Sequence, residues 1–316
     1  MRRLFALVAL LWPLLASAQY PARPIRIVIP FPPGGATDII GRVVSQKLSD
    51  RLGQPVVVDN RPGAGGTIGS EAVAKAQPDG YTLLISTNST HAIAPVLTKP
   101  PYDPLRDFTA IALLVQSPNI LVVSPKLGVS NVRELIAAAK AKPGELSFAS
   151  SGNGTIIHLT GEMFKQMAGV DLLHVPYKGT ALSLPDLANG RVSILFDNIV
   201  SAQPNLRSGT VKALAVTSLK RSALMPELPT MAEEGLPGFE SIAWFALFGP
   251  AGLPAEVAKR LQDAALAALE AGDARERLAA AGGEAAPASG DEVRRLIRAD
   301  MDKWARVVKA ANVKVD

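Results

Sequence analysis

Short apolar segments alternate with longer amphipathic segments along the first part of the chain. The runs IRIVIP, PVVVDN and YTLLIS are rich in branched or aliphatic residues, and each ends at a polar residue or proline. Helical patterns over 38–52 and 67–76 follow the first two runs. A repeated strand–helix–strand order is typical of parallel sheets with helices on both faces. We therefore predict an α/β fold.

The same alternation continues in the middle of the chain. NILVVS, LSFASS, LLHVPY, RVSILFDN and VKALAVTS are predicted strands. Helices are predicted to start at the cap Ser130, over 155–167 and over 180–188. These elements are sufficient for a second α/β unit.

The alternation of predicted strands and helices stops after Ala223. A turn-rich stretch, LMPELPTMAEEGLPGFES, leads to the apolar strand IAWFALFGP and to alanine-rich helical patterns over 254–281 and 290–311. Long amphipathic helices at the end of the chain are expected to pack back on the first unit. We predict a discontinuous first lobe, 19–120 plus 221–316, and a second lobe, 121–220, with crossings near 117–124 and 214–226.

The N-terminus has the pattern of an export signal. Arg2 and Arg3 precede an apolar run over 4–15, and small residues stand at Ala16 and Ala18. This run is shorter than the roughly 20 residues that span a membrane. We predict a signal peptide over 1–18, cleavage after Ala18 and a periplasmic protein without a membrane anchor.

Composition excludes several classes of site and partner. The chain has no cysteine, which rules out disulfides, thiolate metal sites and a lipidated cysteine. Removal of the signal leaves 31 basic and 28 acidic residues, and aromatic residues make up only 5% of the chain. This argues against nucleic acid as a partner. We expect a monomer without a cofactor.

The loop PFPPGGATD lies between a predicted strand and a helix. Its candidate ligand-binding residues are Phe31, Pro33, Gly34, Gly35, Thr37 and Asp38. The two glycines allow close approach of the backbone to a ligand, and the start of the following helix favours an anion. A rigid turn with an ordinary helix cap is the alternative. Thr87, at the end of YTLLIS, joins the candidate set.

The loop ASSGNGTIIH offers the same arrangement in the predicted second lobe. Its candidates are Ser151, Gly152, Asn153, Gly154, Thr155 and His158. Hydroxyl, amide and backbone N–H donors make it the best predicted carboxylate cradle of that lobe, with a purely capping role as the alternative. His158 has Glu162 at i+4, but two possible ligands without a third make a weak metal site. We interpret that pair as a hydrogen bond on the helix surface.

Other motifs leave two interpretations each. In HVPYKGT, Tyr177, Lys178 and Gly179 are candidates for ligand contact, although Lys178 could be an ordinary surface lysine. Asp197 ends an apolar strand, where it could meet a ligand amine or cap a loop. The glycines of NRPGAGGTIGS only weakly suggest a dinucleotide fingerprint, since its sixth position is Ile68.

Aromatic residues in the strand IAWFALF also have two possible roles. Trp244 and Phe245 are interpreted as core residues in preference to pocket lining, because aromatic residues in strands usually serve cores.

The sequence carries no recognisable catalytic constellation. It lacks a G-x-S-x-G elbow and an H-E-x-x-H pair, and no two acids stand close together on a strand-end loop. We predict no catalytic and no metal-binding residues. A hydrolase or isomerase that uses His158 as its base is a third, less favoured hypothesis.

Six segments in one order resemble the receptors of tripartite tricarboxylate transporters, often called the Bug family. They are YPARPIRIVIPFPPGGATD, NRPGAGGTIGSEAVAKAQPDGYTLL, YDPLRDFTAIALL, VRELIAAAKAKPGELSFASSGNGTIIHL, HVPYKGT and LPTMAEEGLPGFES. The resemblance implies a type II periplasmic-binding-protein fold, with two α/β lobes joined by two crossing strands and a ligand cleft between them.

The resemblance also implies a function. Such receptors capture a small carboxylate, such as a di- or tricarboxylate, an aromatic acid or an acidic amino acid, and deliver it to membrane transporter subunits. Backbone N–H groups and water would hold it between 31–38 on one side and 151–155 with 177–179 on the other. Asp197 would meet the ammonium group of an amine-bearing ligand. Signalling to a membrane sensor kinase is the alternative role.

Overall fold

The computed structural model describes residues 20–314. The strands of this part are β1 (Ile25–Ile29), β2 (Val56–Asn60), β3 (Thr82–Thr87), β4 (Phe108–Val123), β5 (Ser147–Ser150), β6 (Leu173–Pro176), β7 (Ile194–Asn198), β8 (Lys212–Val216), β9 (Ile242–Pro250) and β10 (Glu284–Ser289). The α-helices are α1 (Ala36–Leu52), α2 (Thr67–Ala74), α3 (Ala94–Leu97), α4 (Val132–Ala141), α5 (Ile156–Ala168), α6 (Thr180–Ala188), α7 (Ile199–Arg207), α8 (Ala255–Glu270), α9 (Gly272–Ala280) and α10 (Gly290–Ala310).

The strands form two connected sheets, one in each lobe. In the first lobe the order is β2-β1-β3-β9-β4, and β10 pairs with residues 112–116 of β4. In the second lobe the order is β4-β7-β5-β6, and β8 also pairs with β4. Strands β1, β2 and β3 are mutually parallel, as are β5, β6 and β7, whereas every pair that includes β4 or β9 is antiparallel. The sheets are therefore mixed: antiparallel pairs with β4 and β9 accompany the parallel strand–helix–strand units that the sequence predicted.

Strand β4 belongs to both sheets. From Phe108 to Pro118 it pairs with β9, and from Asn119 to Val123 it pairs with β7. The chain returns to the first lobe through the segment 217–241, between β8 and β9. The second crossing is therefore a long turn-rich connection flanked by two strands. The predicted limits of the lobes stay a prediction.

A small group of buried polar residues joins the two crossings. Both the backbone N–H and the hydroxyl of Thr217 donate to the carbonyl oxygen of Asn119, each at 2.9 Å. The amide of Asn119 donates to the hydroxyl of Ser241 at 3.0 Å, and that hydroxyl lies 2.6 Å from the hydroxyl of Thr160 on α5. Buried polar groups that are fully hydrogen-bonded specify one arrangement of their neighbours. We call Asn119, Thr160, Thr217 and Ser241 the hinge cluster.

The cores follow directly from the sequence periodicity. On β1, Ile25, Ile27 and Ile29 are at most 1% exposed, because alternate residues of a strand share a face. On α1, Ile40, Val44 and Leu48 recur at the spacing of a helix face and are equally buried. Alternation on β1 and helical spacing on α1 thus give each element one apolar face.

The chain after β9 differs from the prediction. The pattern over 254–281 is interrupted at Ala271, whose extended backbone separates α8 from α9. Strand β10 was not predicted, because its sequence EAAPAS is rich in alanine and contains Pro287, both poor strand signals. It pairs with β4 through an irregular register, which is where a strand tolerates proline.

Two predictions concern the export signal and the absence of a membrane anchor. The signal peptide over 1–18 lies outside the described residues. Within residues 20–314, no helix combines the length and the apolar character needed to cross a membrane.

The start of α10 gives a test of the packing. A methyl group on Gly290 would overlap the carbonyl oxygen of Ala110 on β4, whereas one on Gly272, the first residue of α9, would meet nothing within 4 Å. We expect Gly290→Ala to lower the free energy of unfolding by about 1–3 kcal/mol. Gly272→Ala should leave it unchanged or raise it by up to about 1 kcal/mol. Urea denaturation of both variants measures the difference, and equal midpoints would contradict the packing of α10.

Candidate functional site

The N-termini of four helices meet between the lobes. Helices α1, α5, α6 and α7 each start shortly after a strand, namely β1, β5, β6 and β7. Carboxyl ends of parallel strands meet at one edge of a sheet, so the loops that follow them meet as well. The lobes turn these edges toward each other across a cleft.

A cavity of about 500 Å³, counting the space that opens to solvent, lies where these helices meet, and we call it the inner cavity. Its lining residues are Phe31, Pro32, Pro33, Gly35, Ala36, Thr37, Thr87, Ser89, Ser151, Ile156, Ile157, Gly179, Thr180, Ala181, Asn198, Ala243 and Phe245. They combine cap or first-turn residues of the four helices, five hydroxyls, one amide and apolar side chains. None of these lining residues carries a formal charge.

The electrostatics of the inner cavity therefore come from the backbone. The first N–H groups of a helix have no partner within the helix, and each helix N-terminus carries about half a positive elementary charge. Four such ends around an uncharged, largely apolar cavity favour a negatively charged group, because the low local polarity strengthens their field. The arrangement can hold an anion without an ionised side chain.

The two lobes are in contact around the inner cavity. The hydroxyl of Ser89, from the first lobe, accepts a hydrogen bond of 3.0 Å from the backbone N–H of Ile156, in the first turn of α5. A methyl group on Gly65 would lie 2.8 Å from the carbonyl oxygen of Asn153. Gly65 also has a φ of +62°, a backbone conformation that glycine adopts without strain. Glycine at this position permits the close approach of the lobes.

Ser89 was not predicted from the sequence. It starts a π-helical turn, Ser89–Ile93, directly after β3, and its backbone N–H donates to the hydroxyl of Thr87 at 3.1 Å. π-helical turns are rare and often occur at functional sites. A wider turn of this kind has no local sequence signature, because it depends on the packing around it.

Asp38 stabilises the first loop from behind the cavity. Its carboxylate accepts hydrogen bonds of 3.0 Å from the backbone N–H of Gly34, from Asn60 and from Arg42. Burial alone would raise the pKa of Asp38, but these donors together with the charge of Arg42 lower it below its ordinary value. Asp38 thus fixes the conformation of residues 34–38 and does not line the inner cavity.

Thr155 has a similar structural role in the second lobe. Its hydroxyl donates to the carbonyl oxygen of Gly152 at 2.8 Å and accepts from the backbone N–H of His158, which makes it the N-cap of α5. The side chain is fully buried. Thr155 therefore has the capping role that the sequence analysis gave as the alternative. Ser151, in the same loop, lines the inner cavity.

His158 is buried inside the second lobe. Its Nδ1 accepts a hydrogen bond of 3.2 Å from the backbone N–H of Gly154, and its Nε2 lies 3.9 Å from Glu162. That separation is too long for a hydrogen bond, and the imidazole is only 4% exposed. The predicted hydrogen bond on the helix surface was therefore wrong, because the imidazole turns inward to support the loop.

His174 stacks on His158, which the sequence did not suggest. Their ring centroids are 4.0 Å apart, and Nε2 of His174 lies 2.7 Å from the hydroxyl of Ser150. Burial, with the neighbouring positive charges, lowers the pKa of His158 to about 3 and that of His174 to about 4. Both rings are neutral at pH 7. Ser150 is fully buried and does not line the inner cavity, so its hydroxyl does not reach a solute held there.

Asp197 lies at the end of β7, beneath the cavity lining. One carboxylate oxygen accepts from the backbone N–H of Asn198 at 2.8 Å and from Ser201 at 2.5 Å. The other oxygen has no partner that satisfies hydrogen-bond geometry within residues 20–314, although the hydroxyl of Thr180 is close enough to favour the charged form. Complete burial outweighs these contacts and raises the pKa to about 6.

Trp244 and Phe245 occupy different environments. Trp244 is buried in the first lobe and donates from Nε1 to Asp300 at 2.9 Å, so it has the predicted core position. Phe245 is equally buried but also lines the inner cavity. Its interpretation as core alone was incomplete, because adjacent strand residues point to opposite faces and only one of them reaches the cleft.

A second, wider cavity adjoins the inner one and shares Phe31 and Ser151 with it. We call it the outer cavity; it is lined by Pro30, Phe31, Gly63, Ala64, Gly65, Gly66, Thr67, Leu97, Thr98, Lys99, Pro100, Pro101, Ser151, Gly152, Asn153, Pro176, Tyr177 and Lys178. The hydroxyl of Tyr177 donates to Asp186 at 2.8 Å, and burial, helped by that carboxylate, raises its pKa to about 12. The hydroxyl of Tyr177 is thus held by Asp186, and the residue forms part of the wall of the outer cavity.

The candidate residues thus separate into three groups. The inner cavity contains Phe31, Pro33, Gly35, Thr37, Thr87, Ser151 and Gly179. The outer cavity adds Gly152, Asn153, Tyr177 and Lys178. Outside both linings are Gly34, Asp38, Gly154, Thr155, His158 and Asp197. Contact of each residue with a ligand stays a prediction.

Solved structures share this architecture. An R. palustris protein determined with adipate is 38% identical and superposes with a TM-score of 0.91, covering 93% of this chain and 99% of that chain. MatC from Rhodopseudomonas palustris, determined with bound malate, is 34% identical with a TM-score of 0.87, covering 92% and 100%. The fold and the cleft between the lobes define a periplasmic solute-binding protein of the two-lobed kind.

The family follows from the sequence comparisons. The model of the tripartite tricarboxylate transporter family receptor matches residues 40–313. The protein BugT of Bordetella pertussis is 39% identical over 303 residues, which is 95% of this chain and 93% of that protein. The chain belongs to the tripartite tricarboxylate transporter receptor family. It is a solute-binding receptor and not an enzyme.

The buried carboxyl of Asp197 predicts a pH effect on stability. Its pKa is higher in the folded than in the unfolded protein, so it favours the folded state at low pH and loses that contribution as the pH rises from about 4 to about 6. A shift of this size corresponds to about 3 kcal/mol. In Asp197→Asn this loss should disappear.

Urea denaturation at several pH values measures this effect as the difference between wild type and Asp197→Asn. The histidines titrate in both proteins and cancel in that difference. A difference that does not change between pH 4 and 7 would contradict the raised pKa of Asp197.

Proposed function

We propose that the protein captures a small carboxylate in the inner cavity and delivers it, as a monomer, to the membrane subunits of a tripartite tricarboxylate-type transporter. The observation that carries the proposal is the meeting of four helix N-termini around a cavity without charged side chains. A carboxylate satisfies backbone N–H donors that would otherwise lack a partner. The adipate and malate in the two related structures support the same ligand class.

The cavity also suggests how the ligand couples to the conformation. Its walls come from both lobes, so a carboxylate there contacts α1 on one side and α5 and α6 on the other. Only a closed arrangement provides all these contacts at once, which makes the ligand favour the closed form over the open one. A membrane partner can distinguish these two shapes.

Thermal unfolding of the ligand-stripped protein tests the ligand class. A carboxylate at about 100 times its dissociation constant should stabilise the protein by roughly 2.7 kcal/mol. The panel pairs each di- or tricarboxylate, aromatic acid and acidic amino acid with its amide, which has a similar shape without the charge. We expect acids to raise the midpoint and amides to leave it unchanged. Equal shifts for acids and amides would refute an anion site.

Two neighbouring hydroxyls provide a matched pair of variants. Ser151 lines the inner cavity, so Ser151→Ala should weaken carboxylate binding by roughly tenfold with little change in unfolding. Thr155 caps α5, so Thr155→Ala should lower the free energy of unfolding by about 1–2 kcal/mol. Calorimetric titration and urea denaturation of both variants separate the roles. Wild-type affinity in Ser151→Ala would remove that hydroxyl from the site.

A further inference from the structure

The side chain of Asn198 belongs to the wall of the inner cavity and is hydrogen-bonded to the hinge cluster. Asn198 ends β7 and lines the inner cavity, and its Nδ2 donates to the amide oxygen of Asn119 at 2.5 Å. Asn119 is a member of the hinge cluster and is fully buried. One polar side chain of the cavity wall is thus attached directly to the crossing between the lobes.

The far end of the hinge cluster fixes the direction of its hydrogen bonds. The hydroxyl of Thr160 lies 2.7 Å from the backbone carbonyl oxygen of Ile156, which can only accept, so Thr160 donates there. The hydroxyl of Ser241, 2.6 Å from that of Thr160, must then donate to Thr160. The oxygen of Ser241 in turn accepts from the amide Nδ2 of Asn119 at 3.0 Å. Only one placement of the protons satisfies the whole chain of hydrogen bonds.

The same chain fixes the orientation of both amides. Because the NH2 group of Asn119 is directed at Ser241, its oxygen is directed at Asn198 and can only accept there. Asn198 therefore presents its own NH2 group to Asn119. Turning either amide over would place two donors or two acceptors together in a buried region, which native structures avoid.

This orientation leaves the amide oxygen of Asn198 for the inner cavity. The oxygen accepts no hydrogen bond from residues 20–314, and unlike Oδ2 of Asp197 it is not a fully buried atom without a partner. The other polar side chains of the described lining are hydroxyls, which donate as well as accept. The oxygen of Asn198 is thus the one side-chain atom of this lining that accepts without being able to donate.

An atom that only accepts discriminates between ligands when it lies beside an anion site. It repels the oxygen atoms of a carboxylate, and it pairs with a hydroxyl group, so it penalises an analogue that lacks the hydroxyl. An ammonium group would also pair with it, but would lie among the positive ends of four helices. A carboxylate that carries a neutral hydroxyl close to the acid group satisfies both parts of the wall.

We propose that Asn198 is a specificity-determining residue of the inner cavity, and that Thr160 and Ser241 are positioning residues that hold its amide oxygen toward the solute. The receptor then prefers a carboxylate with a hydroxyl close to the acid group over the same acid without it. The inference rests on the proposed function, because it requires a carboxylate in the inner cavity. Thr160 and Ser241 line neither cavity, so they act on the solute only through Asn198.

Calorimetric titration of the ligand-stripped protein tests this selection. The probes are pairs of acids that differ by one hydroxyl, namely malate with succinate, 3-hydroxybutyrate with butyrate and citrate with tricarballylate, together with aspartate as the amine counterpart of malate. The variants are Asn198→Ala, Thr160→Val and Thr160→Ser, of which the last keeps the hydroxyl. Asn189→Ala is the control, since Asn189 is an exposed asparagine after α6 that lines neither cavity.

We expect wild type to bind the hydroxy acid of at least one pair about tenfold more tightly than its partner, the scale of one hydrogen bond in a buried site. Asn198→Ala should remove this preference. Thr160→Val frees Ser241 to donate to Asn119, so the amides can turn over. It should lower the preference by at least about threefold without changing the affinity for the acid that lacks the hydroxyl. Thr160→Ser and Asn189→Ala should keep the wild-type preference.

Four results would overturn the inference. Wild type could bind both members of every pair equally, or Asn198→Ala could keep the preference. Thr160→Val could weaken both members of a pair by the same factor, which would indicate a general effect on the hinge. Tighter binding of aspartate than of malate would assign the acceptor to an ammonium group. Absence of all carboxylate binding to wild type would instead overturn the proposed function, and this inference with it.

Discussion

The sharing of strand β4 by two sheets is the constraint on which the rest of the structure depends. Because one continuous strand changes partners between Pro118 and Asn119, the two sheets cannot separate and their carboxyl edges face each other. Each edge carries the loops and helix starts that follow its parallel strands. The hinge cluster ties the returning segment to the same point of β4, so both crossings between the lobes are held together there. The site is thus a consequence of topology before any particular side chain is considered.

The inner cavity uses the backbone where other anion sites use arginine or lysine. Helix N-termini have a fixed position and cannot be neutralised by a proton, so their field does not vary over the ordinary pH range. The side chains of the lining are then free to set shape and polarity. Ionisable groups such as Asp38 and His158 lie behind the lining residues, where they accept hydrogen bonds from the backbone of the cavity loops. Binding and support are divided between two layers of residues.

The sequence predicted what depends on local chemistry. Glycine- and proline-rich turns after apolar strands pointed to Phe31, Gly35, Ser151 and Gly179, which line the inner cavity, and their contact with a ligand stays a prediction. Features that arise from contacts between distant segments were missed. Examples are the stacking of His174 on His158 and the π-helical turn that presents Ser89.

A polar side chain in a loop is an ambiguous signal, because it can face a ligand or support the loop itself. Asp38, Thr155 and Asp197 have suitable groups in suitable loops, but their oxygen atoms bind the backbone of the loops themselves. Asn198, at the end of β7, and Phe245, within β9, line the cavity although neither stands at a turn signal. Which side of a loop faces the cleft depends on the opposing lobe, and no single segment contains that information.

In the proposed function, the hydrogen bond from Ile156 to Ser89 would also bear on how fast a solute is released. It joins the two lobes beside the cavity, so a solute held there would leave more readily once the lobes separate. The residence time of the solute is then set by the opening of the protein and not by the strength of its own contacts alone. A membrane partner that binds the open shape would shorten that time without competing for the solute. The rate of solute release would then depend on how fast the lobes open.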